Sequence, residues 1–470
     1  MNRRTAIRAM QFASLLLMSA STSFSGPARL ALAREAAATV PGQTELDRYV
    51  AKPDDSFRWK LVSRRDNEQG TALLLDLTSQ TWRTSEEVDR TQWKHWVWIV
   101  VPKGADSKTA LMLIGGGSNS TEPPHEPPAL AVQLATTTQS IVAEVSNIPN
   151  QPLELFHDGH DRREDDLLAR TWRAAIEEHD LGWPAQLPMT KAAVRAMDAV
   201  QQATAVEDDV PAVERFVVAG ASKRGWTTWL VGAVDDRVDA IAPVVIDVLN
   251  VRKSLRHHHD AYGFWAPAIG DYQREGLLDK LDDPGIKGLL DIVDPYVYRE
   301  RLTMPKCIIN ASGDQFFPPD SSQFYFDQLP GEKLLSYVPN AGHGLEGSHA
   351  IETLAAFHAS VVRGLARPRV SWTENAAGEL HVTCQPAPER AKLWRAANPS
   401  ARDFRFDQIG AAFIAQEIEA DDAGRYRVEA TPPSQGFTAS FAEFEFDIGA
   451  GSTLRTTTPI QVSGSPQLGK

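Results

Sequence analysis

The sequence predicts an α/β domain built on a mostly parallel sheet, followed by an all-β domain. Between about residues 140 and 366, apolar runs alternate with segments whose apolar residues recur at helical spacing, which is typical of a parallel sheet covered by helices on both faces. From residue 367 onward the apolar residues recur at every second position, which indicates a β-sandwich. The length of 470 residues exceeds what one hydrophobic core normally serves, in agreement with two domains.

Residues 1–33 are predicted to be a cleaved export signal. Arg3 and Arg4 precede the apolar run FASLLLMSASTSF, and Ala31-Leu32-Ala33 has the small residues of a cleavage site. The paired arginines also permit a signal of the twin-arginine type. Because the apolar run is shorter than the roughly 20 residues of a membrane-spanning helix, we expect a periplasmic or secreted protein without a stable membrane span.

The composition argues against several classes of partner. The formal charge is -13 and becomes -17 once residues 1–33 are removed, whereas a nucleic-acid surface needs clustered lysine and arginine. The only cysteines, Cys307 and Cys384, lie in different predicted domains, so a disulfide framework is excluded. The stretch GGGSNS lacks the Gly-Lys-Ser/Thr of a phosphate loop, and no cofactor is expected.

The α/β domain is assigned to residues 34–366. It begins with three strand-like runs and continues as alternating strands and helices, with a polar and aromatic insert over about residues 248–304 that we interpret as a helical cap. The strand-like runs are TALLLDLTSQTW, WKHWVWIVVP, ALMLIGGG, SIVAEVSNIP, RFVVAG, AIAPVVID, KCIINASGD and KLLSYVPNAGH. The helical segments are EDDLLARTWRAAIEEHD, LPMTKAAVRAMDAVQQA, one that begins near Lys223, and HAIETLAAFHASVVRGLA.

Residues 367–470 are predicted to form an immunoglobulin-like β-sandwich. In GELHVTCQP the apolar residues alternate with polar ones, and Trp394 follows Cys384 by ten positions. Tyr426, in DDAGRYRV, has the setting of a tyrosine corner two residues before Val428, where a second cysteine would stand. We therefore interpret Cys384 as a buried core residue; another small β-sandwich is the alternative. This domain could contact a protein or a surface.

The stretch VERFVVAGASKRGWTTW is similar to a nucleophile elbow, the strand-to-helix turn that exposes a serine hydroxyl above a sheet. The usual pattern is G-x-S-x-G, but Arg224 stands where the second glycine is expected, and Gly225 follows one place later. Ser222 is therefore either a nucleophile or an ordinary N-cap of the following helix.

Three residues follow strands in the chain order that α/β-hydrolases use for serine, acid and histidine: Ser222, Asp314 and His343. Acyl transfer requires a hydroxyl, an imidazole that takes its proton and a carboxylate that orients the imidazole. Because the carboxyl ends of parallel strands share one edge of a sheet, these side chains are expected to meet there. Asp247, at the end of AIAPVVID, is the alternative acid.

Backbone amides and the insert supply further candidate groups. An oxyanion hole is predicted from the amide of Lys223 and one amide of the glycine run, Gly115, Gly116 or Gly117. The candidates for substrate binding are His258, Tyr262 and Trp265. A metal site at RHHHD is disfavoured, because consecutive histidines on a helix point in different directions.

Several blocks of the sequence resemble one family. They are PVVIDVLN, VAGASKRGWTTWL, LPMTKAAVRAMDAV, and the long stretch from DPYVYRERL to VPNAGHGL. Over residues 45–365 the chain is similar to the PhoPQ-activated pathogenicity-related protein family. The resemblance implies an exported α/β-hydrolase-fold protein with Ser222, Asp314 and His343 at the triad positions. A more distant similarity is to glucuronoyl esterases, whose elbow also has a basic residue after the serine and a displaced glycine.

These observations predict an exported serine hydrolase that cleaves a carboxylic ester through an acyl-enzyme, without metal or cofactor. A serine peptidase or amidase of the same fold is one alternative, and its substrate would be a peptide rather than a small ester. A binding or signalling protein that retains the hydrolase fold without turnover is the other.

Overall fold

The computed structural model describes residues 42–429, 433 and 435–465, and the described residues from Thr44 onward belong to one compact unit. The predicted export signal, residues 1–33, lies outside the described residues. Within these ranges, none of the helices combines the length and the apolar character that crossing a membrane requires.

Nine of the described strands form one large sheet, and helices cover it. The strands up to residue 338 are β1 (Arg58–Asn67), β2 (Gly70–Thr81), β3 (Gln92–Pro102), β4 (Thr109–Ile114), β5 (Val142–Val145), β6 (Leu153–Glu154), β7 (Asp161–Arg162), β8 (Arg215–Ala221), β9 (Val238–Val244), β10 (Lys306–Ala311) and β11 (Lys333–Val338). The α-helices are α1 (Glu45–Ala51), α2 (Ala129–Thr138), α3 (Glu164–Glu177), α4 (Gln186–Ala205), α5 (Lys223–Val234), α6 (Val251–Tyr262), α7 (Gly270–Arg274), α8 (Pro284–Val293), α9 (Ala350–Val362) and α10 (Phe406–Ile409).

The order of strands in the large sheet is β1-β2-β3-β5-β4-β8-β9-β10-β11, and β6 pairs separately with β7. In this order, the first three neighbouring pairs, β1-β2, β2-β3 and β3-β5, are antiparallel. The remaining five pairs, from β5-β4 to β10-β11, are parallel. This is the mixed, mostly parallel sheet with flanking helices that is expected of an α/β-hydrolase-like fold. The last residues of β8 and β9, Ala221 and Val244, are direct neighbours, so the segments that follow them begin at the same edge.

Both faces of the sheet are buried. On β8, Phe216 and Val218 belong to the larger hydrophobic core, whereas Val217 and Ala219 belong to a second core on the opposite face. Helices α4 and α5 pack in the first core, and α2 and α9 pack in the second. Because β8 is held from both sides, the turn at its end has a fixed position.

The insert at residues 248–304 is helical. It contains α6, α7 and α8 together with the short 3-10 helices Pro267–Ile269, Leu278–Lys280 and Pro295–Arg301. Two more 3-10 helices, Ser321–Phe324 and Phe326–Gln328, follow β10.

The C-terminal region forms two small antiparallel sheets. Its strands are β12 (Arg369–Glu374), β13 (Leu380–Gln385), β14 (Arg390–Asn398), β15 (Ile414–Glu417), β16 (Arg425–Val428), β17 (Gly436–Phe446), β18 (Leu454–Thr457) and β19 (Gln461–Ser465). One sheet has the order β12-β13-β16; the other has the order β15-β14-β17-β18, with β19 also paired to β17. A third hydrophobic core contains residues of both sheets, and the immunoglobulin-like classification stays a prediction.

Two details of this region differ from the sequence-based expectation. Cys384 is half-buried rather than fully buried, because it lies at the margin of the third core, and it pairs with Val370 across the sheet. Val428 is fully buried and pairs with Leu380 instead. The region also includes a short helix, α10, although the apolar residues of its sequence recur at every second position, as in strands.

Candidate active site

Ser222 stands on the turn between β8 and α5. Its backbone has φ 58° and ψ -123°, a conformation that L-residues rarely adopt and that costs about 1–3 kcal/mol. The Ser222 amide donates to the Val244 carbonyl at 2.8 Å, which ties the turn to the neighbouring strand. Its hydroxyl is directed to His343 Nε2, at 2.8 Å, rather than to the amides of the first helical turn. This is the geometry of an elbow.

Two glycines allow this turn. A Cβ on Gly220 would lie 2.7 Å from the Arg224 carbonyl oxygen, and a Cβ on Gly225 would lie 2.9 Å from the Val244 carbonyl oxygen and 3.0 Å from that of Gly220. Strand and helix therefore approach each other at Gly225, one residue later than in the usual pattern. The Arg224 side chain extends past Gly116 to the Glu164 carboxylate, so the turn accommodates a long side chain at this position.

The structure brings Ser222, His343 and Asp314 together. His343 Nδ1 lies 3.0 Å and 2.9 Å from the two carboxylate oxygens of Asp314. The His343 amide donates to Gln315 Oε1 at 2.8 Å, and the ring centroids of His343 and Phe316 are 4.3 Å apart. Asp314 is 4% exposed, so its carboxylate is shielded from water and held against the imidazole.

Asp247, the alternative acid, lies in a separate buried site. Its carboxylate accepts hydrogen bonds from the hydroxyls of Tyr325, at 2.6 Å, and Tyr337. Burial raises the pKa of Asp247 to about 7, although both tyrosine hydrogen bonds lower it. The geometry thus places Asp314, and not Asp247, in contact with His343.

Arg224 and Lys223 are directed to carboxylates at the start of α3. Arg224 donates through both terminal nitrogens to Glu164, at 2.7 Å and 2.6 Å, and through Nε to the Ile148 carbonyl. Lys223 Nζ donates to Asp165 Oδ2 at 2.7 Å. Burial raises the pKa of Glu164, but the hydrogen bonds and charge of Arg224 outweigh it and lower that pKa to about 2. The basic pair is therefore part of the site and fixes the elbow against α3.

The glycine run after β4 lies beside the elbow, and its three members differ. The Gly115 amide donates to the Val145 carbonyl at 2.8 Å, so it is already used by the sheet. A Cβ on Gly116 would lie 2.6 Å from Arg224 Nη2, and Gly117 has φ +137°, in the region that favours glycine. Of the predicted oxyanion donors, Gly115 is excluded by its hydrogen bond, and Gly116 and Gly117 stay candidates. Lys223 is the first residue of α5, where amides have no intrahelical acceptor.

An apolar pocket with a volume of about 50 Å³ adjoins Ser222. Residues from α3, α5, the insert and the loop after β10 that carries Asp314 (residues 312–320, the acid loop) form most of its wall. Its described lining residues are Asp165, Trp172, Ser222, Lys223, Trp226, Ile246, Val248, Val251, Leu255, Ile269, Tyr272, Phe316 and Phe317. The insert thus contributes to the pocket, and the Tyr272 hydroxyl donates to Asp165 Oδ1 at 3.2 Å.

The substrate-binding candidates His258, Tyr262 and Trp265 are not among those described lining residues. His258 is buried; its Nδ1 lies 3.1 Å from the Phe316 carbonyl, and its Nε2 accepts from the Ala266 amide at 3.0 Å. Burial lowers the pKa of His258 to about 4, so the ring is neutral. The rings of Tyr262 and Trp265 pack on His258, at 4.8 Å and 5.8 Å between centroids. These residues connect the insert to the acid loop.

Sequence reasoning missed the pocket walls that lie outside the insert. Phe316 and Phe317 lie two and three residues after the acid in GDQFF, and Trp226 lies one helical turn after Ser222, so proximity in sequence could have indicated all three. Trp172 lies on the apolar face of α3, which looks like ordinary core packing. The sequence shows Glu164 and Asp165 only as acidic residues in the first turn of a helix, which is a common position for acids and does not indicate a functional site.

Comparison with known proteins gives a family and several distant structural likenesses. The family described as PhoPQ-activated pathogenicity-related protein matches residues 46–405. The autocrine proliferation repressor protein A of Dictyostelium discoideum is 38% identical over 451 residues, which cover 89% of this chain and 90% of that protein.

Among solved structures, an acetyl xylan esterase from Paenibacillus sp. R4 is similar at a TM-score of 0.42 and 17% identity, over 65% of this chain and 91% of the esterase. An acylaminoacyl peptidase of Pyrococcus horikoshii is similar at a TM-score of 0.38 and 14% identity, over 64% of this chain and 48% of the peptidase. The family match extends over most of the chain and includes the elbow, the acid and the histidine. The chain belongs to the PhoPQ-activated pathogenicity-related protein family.

Proposed function

We propose that this protein is an exported serine hydrolase that cleaves carboxylic esters through an acyl-enzyme. The observation that carries the proposal is the contact of Ser222 Oγ with His343 Nε2 at 2.8 Å while Nδ1 of the same ring lies 2.9 Å from Asp314. A hydroxyl on a strained turn, an imidazole and a buried carboxylate are the three groups that acyl transfer by serine requires.

Each group then has one role. Ser222 Oγ attacks the ester carbonyl while His343 Nε2 accepts the hydroxyl proton, and Asp314 keeps the ring oriented and stabilises the imidazolium. The protonated ring gives its proton to the departing alcohol, and water, activated by the same ring, releases the acid and restores Ser222. Asp247 takes no part in this cycle.

The oxyanion of the tetrahedral intermediate needs hydrogen-bond donors near Ser222. We assign one to the Lys223 amide at the start of α5 and the second to the amide of Gly116 or Gly117. Two contacts hold the glycine run in place: the Gly116 carbonyl accepts from the Asn147 amide at 2.7 Å, and the Gly117 carbonyl accepts from Gln151 Nε2 at 2.9 Å. A preorganised loop of this kind is what oxyanion stabilisation requires.

Labelling with a fluorophosphonate probe tests the catalytic assignment. The mature wild-type protein should be labelled, and Ser222→Ala should not; hydrolysis of p-nitrophenyl acetate should fall by roughly 10⁴- to 10⁶-fold in this variant. Ser348→Ala, a serine of the loop after His343, is the matched control and should be labelled like the wild type. Equal labelling of the wild type and Ser222→Ala would contradict the assignment.

The pocket beside Ser222 supports an ester with an uncharged, apolar group on one side of the scissile bond. Its wall is aromatic and aliphatic, and its two charged side chains, Asp165 and Lys223, are paired with each other. A charged substrate group would lose its hydration in this pocket, and both charged lining side chains already have a partner of opposite charge.

Leu255→Ala tests the pocket, because Leu255 lines it from α6 of the insert. The shorter side chain enlarges the pocket, and we expect kcat/KM for an octanoate ester to rise about tenfold relative to that for an acetate ester. Lys253→Ala, an exposed position of the same helix, should leave the ratio unchanged. A ratio unaffected by Leu255→Ala would mean that the substrate binds elsewhere.

The name of the Dictyostelium relative favours a second candidate, a signalling protein that retains the fold. The fluorophosphonate labelling distinguishes the hydrolase from the signalling protein, since a protein without turnover needs no reactive serine.

A serine amidase is identified by comparing aminoacyl p-nitroanilides with p-nitrophenyl acetate as substrates. Only an amidase releases nitroaniline at a rate comparable to that of ester hydrolysis.

A further inference from the structure

Residues 402–413, which we call the clamp, connect β14 to β15 and include α10. We propose that the clamp positions the catalytic groups: it holds the acid loop (residues 312–320) and the histidine loop (residues 339–346) so that Asp314 meets His343. The proposal rests on the proposed hydrolase function. It makes a segment of the C-terminal region part of the active-site framework rather than a separate contact module.

The first contact of the clamp is with the histidine loop. Asn340 Nδ2 donates to the Phe413 carbonyl at 2.8 Å, and Asn340 Oδ1 accepts from the Phe413 amide at 2.8 Å. This pair of hydrogen bonds fixes both the position and the rotation of the Asn340 side chain. Asn340 has φ 53°, and its own amide donates to Ser312 Oγ at 3.0 Å, so the same residue also binds the acid loop.

The second contact is with the acid loop, at the residue before the acid. The Phe406 amide donates to the Gly313 carbonyl at 2.8 Å, and the Gly313 amide donates to the Ala341 carbonyl at 3.0 Å. A Cβ on Gly313 would lie 2.9 Å from the Phe406 nitrogen and 3.1 Å from the Ala341 oxygen. Gly313 is therefore enclosed between the clamp and the histidine loop, with no room for a side chain.

The third contact connects the clamp to the end of the acid loop and to the insert. Arg402 pairs with the Asp320 carboxylate, whose other oxygen lies 2.9 Å from His257 Nε2 of α6. The Arg405 guanidinium lies 5.3 Å from the centroid of the Tyr262 ring. The clamp thus touches all the segments that carry the acid, the histidine and the pocket wall of α6.

These contacts matter because proton transfer depends on short distances. A general base must be within hydrogen-bond reach of its proton, and a displacement of about 1 Å can cost roughly 100-fold in rate. Ser222 is held independently by the β8-to-α5 turn, whereas Asp314 and His343 stand on loops. The clamp bonds one residue before the acid and three residues before the histidine, where small shifts change the distance between them.

Asn340→Gly tests the proposal in the full chain. Glycine adopts positive φ without strain, so the variant keeps the backbone and loses both hydrogen bonds to Phe413. We expect kcat for p-nitrophenyl acetate to fall by about 10- to 100-fold with little change in KM, because the apolar pocket is untouched. The control is Arg455→Gln, which removes a 2.7 Å ion pair between β18 and Glu352 of α9 and should leave kcat unchanged.

A second measurement does not depend on turnover. In the wild type, the ring proton between His343 Nδ1 and Asp314 should give a downfield NMR signal that His343→Gln removes. In Asn340→Gly this signal should move upfield or broaden. An inactive wild type that still shows this change would overturn the hydrolase function and leave the clamp standing.

The proposal is wrong if Asn340→Gly keeps the wild-type kcat and the wild-type His343 signal. It is also wrong if the control variant Arg455→Gln lowers kcat as much as Asn340→Gly does. Circular dichroism establishes that the variants are folded. Should Asn340→Gly not fold, Arg402→Gln carries the same test: it leaves the pair of Asp320 with His257, and we expect kcat to fall at least about threefold with KM unchanged. Wild-type kcat and an unmoved His343 signal in Arg402→Gln would likewise overturn the proposal.

Discussion

Asp314 and Asp247 follow neighbouring strands of the sheet, β10 and β9, yet their surroundings differ. Asp314 accepts the Phe316 amide at 2.8 Å and faces the imidazole, whereas two tyrosine hydroxyls enclose Asp247. The first carboxylate can stabilise a positive charge that develops on His343. The second is hydrogen-bonded by neutral hydroxyls and does not contact the imidazole.

Substituting each aspartate by asparagine should separate these roles. We expect Asp314→Asn to lower kcat for p-nitrophenyl acetate by about 10⁴-fold, because an amide can hold the imidazole in the wrong tautomer. Asp247→Asn should keep kcat within about threefold of the wild type, since Asp247 does not touch the reacting groups. Steady-state kinetics on the two folded proteins measures both effects, and the reverse ranking would exchange the assignments.

The stability of the protein should depend on pH through Asp247. The pKa of its carboxyl is raised to about 7 in the folded chain and is near 3.9 when unfolded, so between these values the folded state binds the additional proton. The contribution of Asp247 to the free energy of unfolding therefore falls as pH rises from about 4 to about 7, and is constant above that range.

Asp247→Asn removes this titration. At pH 4 the variant should be less stable than the wild type by about 1 kcal/mol, because a tyrosine hydroxyl loses an acceptor. The difference should then shrink or reverse as the pH is raised to 7. Urea unfolding at several pH values measures it, and parallel curves for the two proteins would show that Asp247 does not titrate in this range.

At the scale of single elements, the β8-to-α5 turn depends on where its glycine stands. A Cβ on Gly225 would meet backbone atoms of both Gly220 and Val244. For Gly288 on α8, no atom of the described residues beyond its chain neighbours and its own helix backbone lies within 4 Å of an added Cβ. Both lie in helices, so the two positions give a matched pair of substitutions.

Gly225→Ala should destabilise the protein by about 1–3 kcal/mol and lower kcat by roughly 100-fold, because the added methyl separates helix from strand at the nucleophile. Gly288→Ala should be neutral or stabilise by up to about 1 kcal/mol through helix propensity. Thermal unfolding and ester hydrolysis measure the two effects. Similar behaviour of the two variants would contradict the displaced-glycine interpretation of the turn.

Most central elements could be predicted because buried strands and amphipathic helices leave strong patterns. The strands β2, β3, β4, β5, β8, β9, β10 and β11 and the helices α3, α4, α5 and α9 were visible in this way. Strand β1 was missed because it lies at the sheet edge and is mostly exposed, with charged residues in place of apolar alternation. Helix α2 was missed because it is short and ends in three threonines, which have low helix propensity.

The site was predictable only where a residue follows a strand. Ser222, Asp314 and His343 come after β8, β10 and β11, and the sheet brings them to one edge. The same rule could not separate Asp314 from Asp247, since β9 ends at that edge too. The insert was expected to act as a cap, and Phe316, Phe317 and Trp226 lie close to the triad in sequence, but the contribution of α3 to the pocket could not be predicted, because only tertiary packing brings α3 to the elbow.

At the scale of the whole molecule, the C-terminal sheets share a core with the large sheet. Phe441 of β17 is fully buried in the largest hydrophobic core, and its ring lies 6.3 Å from that of Tyr337 on β11. Thr456 of β18 donates through its hydroxyl to the Leu335 carbonyl at 2.9 Å. The sheets are therefore expected to unfold together.

Scanning calorimetry should then give one transition for the mature chain, and Phe441→Ala should lower the midpoint of that transition as a whole. Loss of a buried phenyl group costs about 3–5 kcal/mol. Val206→Ala, at a position that is 70% exposed, is the control and should leave the midpoint unchanged. Two transitions, of which Phe441→Ala shifts only one, would show that the C-terminal region unfolds independently.

The pairing of Lys223 and Arg224 with Asp165 and Glu164 has a consequence beyond the elbow. The dipole of α5 disfavours the two cations at its start, whereas the dipole of α3 favours the two carboxylates at its start. Because each cation is paired with a carboxylate, the four charges sum to zero within the site. The electrostatic potential at a distance is then set by the rest of the chain, whose formal charge is -13 with residues 1–33 and -17 without them. Anionic molecules are repelled at long range and neutral ones are not, so discrimination by charge begins during diffusion, before any contact with the pocket.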